Sequence, residues 1–213
     1  MNLTELAPGF AYWMAPHPEW EPDENWPEDV LCVYFEAADA TVLIDPLVPR
    51  GREDEFWRFL DGAVERRRLP VRVLLTAPWH ARDAAVVAAR YDASIWAPPA
   101  ALWKGPALTT TADLPAGVEA FLPDGDENQA LLFIPAAGSL VTGDVFSGTG
   151  GRFHVFLDDD VSEPFLAWLP RLAALPVECV LIAHGDPVLA DGAALIRDAV
   201  VEAQTAGGER PVS

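Results

Sequence analysis

Four apolar runs in this sequence end on a residue able to bind a metal ion or move a proton. Val-Leu-Ile ends at Asp45, Val-Leu-Leu-Thr leads to His80 and Asp83, Leu-Val-Thr-Gly ends at Asp144, and Val-Leu-Ile-Ala ends at His184. Imidazoles and carboxylates together suit zinc or another first-row divalent ion, because neutral ring nitrogen and anionic oxygen match a borderline cation. In layered α/β proteins the loops at the carboxyl ends of strands converge side chains on one crevice, so four such ends can share a site. Taken singly, an Asp after a strand reads more simply as a turn or helix-cap residue. The joint order of the four is what singles them out.

The elements that must carry these residues are legible in the apolar spacing. Val30–Glu36 and Thr41–Ile44 are β-branched and aromatic runs joined by the short loop Ala37–Ala40, a hairpin signal. Phe56, Leu60 and Val64 recur every fourth position among charges and predict an amphipathic helix over 53–68. A strand over 71–76, an alanine-rich helix over 83–90 and a short strand over 94–97 follow as one strand–helix–strand unit. Strands are predicted over 118–122, 129–134 and 139–142, with Pro135–Gly138 turning between the last two. Phe165, Leu169 and Leu172 predict a helix over 163–174, Val180–Ala183 a strand, and 191–204 a last helix with Asp191 as its N-cap. The tail after Ala206 is expected to fray.

Residues 7–29 carry Pro16, Pro18, Pro22 and Pro27 among Trp13, Trp20 and Trp26, too many prolines for a helix or a central strand. The stretch reads as an ordered aromatic arm, walling a substrate pocket or a homodimer interface, or simply packing on the body of the fold. Ser147–Gly151 lacks the Lys-Ser/Thr of a phosphate loop and reads as a mobile loop. His17 and His154 fall outside the four strand ends; His154 follows the glycine loop and reads as a surface or core residue, with reach into the cleft as the alternative.

Strands alternating with helices over 213 residues, 51% of them apolar, predict one layered α/β (α+β) domain. A formal net charge of −19 argues against nucleic acid and anionic membrane as partners. No apolar run approaches the roughly 18 residues that span a bilayer. Cys32 and Cys179 sit inside apolar runs, where free buried thiols belong, and no disulfide framework is implied. These features together predict a cytoplasmic protein acting on a small-molecule substrate or ligand.

The series Ile-Asp-Pro (44–46), Leu-Leu-Thr-x-x-x-His-x-x-Asp (74–83), Leu-Val-Thr-Gly-Asp (140–144) and Leu-Ile-Ala-His-Gly-Asp-Pro (181–187) resembles the metallo-β-lactamase superfamily, from about residue 30 to 192. The resemblance implies a four-layer αββα sandwich. In that family a strand-to-helix loop carries His-x-His-x-Asp-His, a later loop adds a His, a Gly-Asp bridges two metals, and a His-Gly completes the second site. Thr-Gly-Asp144 and His184-Gly185 match. The central motif is incomplete: Pro78 stands at its first His, His80 at its second, Arg82 at its Asp and Asp83 at its third His. Slipping by one residue matches Asp83 to the Asp and loses every His. The later His is also missing, since 124–128 reads Asp-Gly-Asp-Glu-Asn, where Asp126 or Glu127 is the available substitute.

The resemblance therefore implies a degenerate site holding at most one divalent ion, zinc, manganese or iron. Its ligands are His80, Asp83, Asp144 and His184, with Asp83 and Asp144 the catalytic carboxylates and Asp45 behind them orienting a ligand or the hairpin. The implied reaction is attack by metal-activated water on an ester, amide, thioester or phosphoester. The other open reading has no metal. In it an Arg82–Asp144 pair neutralises the cavity, and a catalytically inactive protein binds a small molecule or a protein partner.

Overall fold

The computed structural model describes residues 2–98, 113–157 and 161–208. Its first half is a six-stranded sheet in sequence order: β1 (Leu3–Ala7), β2 (Phe10–Pro16), β3 (Asp29–Glu36), β4 (Thr41–Ile44), β5 (Val71–Leu74) and β6 (Ser94–Trp96). The first four run antiparallel, joined by short turns except between β2 and β3, which the longer segment 17–28 connects, whereas β4, β5 and β6 are parallel. Parallel neighbours need a crossover, and the two crossovers are α1 (Glu53–Arg67) and α2 (Ala84–Tyr91). The second sheet comprises β7 (Glu119–Phe121), β8 (Leu131–Ile134), β9 (Ser139–Val141) and, after β10 (Phe146–Ser147), β11 (His154–Val155) and α3 (Glu163–Trp168), the edge strand β12 (Cys179–Leu181). Strand β12 pairs parallel to β9, and α4 (Gly192–Gly208) closes the described chain.

The side-chain period of two sorts each strand between layers. In β8, Leu132 and Ile134 face the first sheet while Leu131 and Phe133 face the helices. In β4, Val42 and Ile44 join the inter-sheet core and Leu43 packs with Phe56 and Leu60 of α1. On the far side Phe165, Trp168, Ile196 and Val200 cover the second sheet. The order helix, sheet, sheet, helix is the expected αββα sandwich, and strands buried on both faces explain why the runs are apolar throughout rather than alternating. Among the described residues no helix is long and apolar enough to cross a membrane.

Two expectations need correction. Residues 10–16 are no arm but strand β2, hydrogen-bonded between β1 and β3. The prolines crowd residues 16–27, and Pro16 sits at the strand's end opposite Asp29, so β2 itself loses no ladder donor. The helix expected over 163–174 is α-helical only to Trp168, and 169–174 tightens to 3-10 geometry at Pro170, which cannot donate to the turn before it. Asp191 takes the N-cap position of α4 as expected, its carbonyl accepting the amides of Ala194 and Leu195, with its backbone in the left-handed region (φ 58°). The tail beyond 208 lies outside the described residues.

Parallel pairing also sets where the chemistry lies. Ile44 is level with Leu74, so Asp45 and Thr76 leave the first sheet side by side. Val141 is level with Leu181, so Asp144 and His184 leave the second sheet together. Two backbone links join these edges, Leu31 N–H to the Ala183 carbonyl at 3.1 Å and Ala130 N–H to the Thr76 carbonyl at 2.8 Å.

Trp13 anchors β2 from below: it is 1% exposed, packs 5.6 Å from the Phe56 ring and donates its indole N–H to the Leu47 carbonyl at 2.9 Å. Trp13→Ala is expected to cost about 3–5 kcal/mol from the cavity, and Trp13→Phe about 1–3 kcal/mol from the carbonyl left unpaired. Urea unfolding of both variants checks the ranking; equal costs would show that the packing of the ring adds nothing beyond the lost hydrogen bond.

Candidate metal centre at the joined strand ends

The site is built on Asp45, a carboxylate 2% exposed and held in the left-handed region at φ 48°. A charge buried this far needs several donors. Thr76 supplies two: its amide to Oδ1 at 2.8 Å and its hydroxyl to Oδ2 at 2.5 Å. With its one proton so committed, Thr76 Oγ1 can only accept from His80 Nδ1, 2.9 Å away, and Asp45 Oδ2 lies 3.2 Å from the same nitrogen. The Nδ1–H tautomer follows, leaving the lone pair of neutral His80 on Nε2. His80 itself, 3% exposed, stands on a 3-10 turn over Pro78–Ala81 that caps the crevice end of β5.

The second sheet brings Asp144 and His184 to that lone pair. His80 Nε2 is 3.2 Å and His184 Nε2 3.3 Å from Asp144 Oδ1. Trp79 donates its indole N–H to the other oxygen, Oδ2, at 2.7 Å. Two glycines allow this approach. Gly143, at φ 55°, would set a Cβ 2.8 Å from Thr76 Oγ1, and Gly185, at φ 125°, would set one 2.6 Å from the Cα of Gly148. The glycine-rich segment read as a mobile loop is thus part of the scaffold: Gly148 donates its amide to the His184 carbonyl at 3.0 Å.

Close as they are, His80 Nε2 and Asp144 Oδ1 are buried without a hydrogen-bond partner, because the atoms approach at ion-pair distance without hydrogen-bond alignment. Three ligand atoms, one each from His80, Asp144 and His184, lie within 4.8 Å of one another. A tetrahedral ion with bonds of about 2.0–2.1 Å sets its ligands about 3.3 Å apart, and the two measured separations are 3.2 and 3.3 Å. The donor set fits one divalent ion.

Without an ion the group is a proton trap. Burial pushes the His80 imidazolium down, but the Asp144 and Asp45 carboxylates outweigh it and raise its pKa to about 9. Burial works against the Asp144 carboxylate as well, and the facing His80 and His184 still hold it well below the usual carboxylate range.

Of the residues singled out in the sequence, His80, Asp144 and His184 meet, and Asp45 stands behind His80 as expected. Asp83 does not join them. It starts α2 and ties that helix to the loop after β4, its Oδ2 accepting the Val48 amide at 2.7 Å and its own amide bonding the Pro46 carbonyl at 3.1 Å. That carboxylate is already committed, which removes Asp83 from the expected ligand set. The Arg82–Asp144 pair is not formed either: Arg82 Nη1 donates to the carbonyls of Leu31 (3.1 Å) and Asp45 (3.0 Å). His154 lies apart, its Nδ1 2.9 Å from the Arg152 carbonyl.

The sequence offered Trp13, Trp20 and Trp26 as wall residues of a pocket, and of these Trp26 lines the cleft. The ligand group opens on a cleft of about 320 Å³ whose lining includes His17, Trp26, Trp79, Arg82, Phe146 and Phe156. The Trp26 ring lies tilted 4.7 Å from His184 and His17 edge-on 5.4 Å from Trp26, so the segment after β2 does wall the cleft. Burial, then the nearby Arg82 charge, lowers the pKa of His17 and keeps it neutral at pH 7. The tryptophan-rich composition was the available signal, but nothing in it marked which rings would turn inward.

Solved structures share this fold. VMB-1 superposes with a TM-score of 0.70 at 11% identity over 97% of both chains. A metallo-β-lactamase from Erythrobacter litoralis, crystallised with β-mercaptoethanol in its active site, gives 0.66 at 15% identity over 94% of this chain and 96% of its own. A metallo-β-lactamase family protein from Thermus thermophilus gives 0.59 at 16% identity over 96% and 81%. No protein-family model and no curated protein matches the sequence. The chain has the metallo-β-lactamase fold, with its candidate metal centre where the two sheets' strand ends join.

Two outcomes follow from this geometry. Thr76→Val removes a donor to Asp45 and the acceptor for His80 Nδ1, and is expected to weaken zinc binding roughly 10- to 100-fold while costing about 1–3 kcal/mol of stability; competition with a chromophoric chelator and urea unfolding read the two effects. The raised pKa of His80 stabilises the metal-free fold fully below the unfolded value near 6.5 and is lost as pH rises through about 9. The melting temperature of chelator-treated protein should therefore fall between pH 6.5 and 9, and a flat profile in His80→Gln would identify the group responsible.

Proposed function

We propose that this chain is a metal-dependent hydrolase that works with a single divalent ion, held by His80, Asp144 and His184. The observation that carries the reading is the pair of buried, unbonded ligand atoms, His80 Nε2 and Asp144 Oδ1, set at tetrahedral ligand spacing with His184. Zinc suits two imidazoles and one carboxylate best, ahead of manganese or iron. Such an ion supplies Lewis acidity to a carbonyl or phosphoryl oxygen and acidifies water. Its substrates are esters, amides, thioesters or phosphoesters, small enough for the cleft.

The protein's own residues divide the remaining work. Asp45 and Thr76 hold a proton on His80 Nδ1, so Nε2 is the nitrogen left to face an ion, which would displace the second proton. Trp79 fixes the rotation of the Asp144 carboxylate through Oδ2, leaving Oδ1 for the ion. Trp79 and Phe156, 47% and 41% exposed, are large apolar surfaces at the cleft and exclude water from a bound apolar group.

The deciding experiment is elemental analysis after zinc loading and dialysis. About one zinc per chain is expected, falling below about a tenth in His184→Ala and Asp144→Asn, whereas Asp83→Asn should retain it. A wild-type chain that keeps no zinc, or triad variants that keep as much as wild type, would overturn the reading.

A further inference from the structure

Arg82 stands where the resembling motif has a carboxylate, and its surroundings differ from those of an ordinary surface arginine. Its backbone is at φ 37° and ψ −116°, a costly conformation for a residue with a Cβ, so the surrounding structure holds it there. One end of the guanidinium is fixed by Nη1 on the Leu31 and Asp45 carbonyls, with Cys32 Sγ at 3.7 Å. The other two nitrogens, Nε and Nη2, are buried and have no hydrogen-bond partner. None of the ion pairs formed among the described residues involves Arg82, although it lines the cleft beside His17, His80 and His184.

An unpaired buried guanidinium is costly, and removing that cost takes an anion. Nε–H and Nη2–H are the two parallel donors of the side-on guanidinium fork, which matches two oxygens of a carboxylate or phosphate. The cleft's charge points the same way. When a divalent ion is bound, the Asp45 and Asp144 carboxylates balance it, which leaves Arg82 facing only the exposed, water-screened Glu19 among the other acids that line the cleft.

We propose that Arg82 is an anion-binding subsite of the cleft, so that its ligand is a small molecule with a carboxylate or phosphate close to the metal centre and an apolar body against Trp26, Trp79 and Phe156. The reaction class rests on the hydrolase reading above, but the anion site does not, because the fork is present without the ion.

The test is calorimetric titration of zinc-loaded and metal-free protein with inorganic phosphate and, separately, phenylacetate. Wild type should bind one equivalent of at least one probe in both metal states. Phosphate alone assigns a phosphorylated ligand, phenylacetate alone a carboxylate. Arg82→Met should weaken that binding about 10- to 100-fold, and Arg82→Lys should recover part of it. Because Nη1 also braces two strands, a second readout keeps the wild-type side chain: the bound probe should shift the Arg82 Nε–H resonance of 15N-labelled protein, assigned by its loss in Arg82→Met. Neither probe binding, binding within twofold of wild type in a folded Arg82→Met, or an unmoved Arg82 Nε–H resonance would each overturn the proposal. Zinc loss with anion binding intact overturns only the hydrolase reading.

Discussion

The buried carboxylate of Asp45 is the constraint on which the site depends. At 2% exposure it has little water to solvate it, so the chain must supply donors, and Thr76 and His80 are the side chains within reach. Meeting that demand fixes three things together. It holds the loop after β5 against the end of β4, it sets the His80 tautomer, and it turns Nε2 toward Asp144. A neutral or apolar residue at 45 would leave the fold's layers intact but let the imidazole choose its own proton. The link runs from one charge, through a hydrogen-bond network, to the availability of a single lone pair.

The second sheet answers with backbone rather than charge. His184 reaches the same space because Gly185 and Gly148 pass within a distance that no side chain permits, and because Gly143 lies against Thr76. Each half of the sandwich thus presents its part of the site rigidly: a hydrogen-bonded imidazole from one sheet, a carboxylate and an imidazole from the other. The bridge of Val30 to His184 adds a direct backbone link between the halves. Precision of this kind is what ligand positions held near 3.3 Å apart require.

Much of the fold was legible because both sheets are buried on two faces, so their strands stand out as apolar runs such as Val30–Phe35 and Leu131–Ile134. The strand β2 was missed because prolines just beyond it dominated the reading of the whole N-terminal segment, although Phe10–Ala15 contains none. At the site, residue type and order located His80, Asp144 and His184, since each ends a strand. The same order could not show that the Asp83 carboxylate turns back to Val48, because that depends on the path of the loop after β4. Nor could it show the Gly148–Gly185 approach, which joins segments far apart in sequence.

Arg82 shows how a motif can lose a carboxylate and keep a structural duty. Its Nη1 bonds the carbonyls of Leu31 and Asp45, drawing together the beginning of β3 and the end of β4 at the rim of the site. That bracing needs a long donor with a fixed fork, which a shorter or acceptor-only side chain at 82 could not provide. The same substitution leaves a permanent positive charge inside a chain whose net charge is −19. Acidic groups elsewhere are exposed and screened by water and salt, so they do little to offset a cation in a low-dielectric cleft. The local field at the site is therefore opposite in sign to the molecule's net charge whenever a divalent ion sits opposite Asp45 and Asp144. An overall acidic protein can for this reason repel anions at its surface and still hold one tightly where Arg82 opens on the cleft.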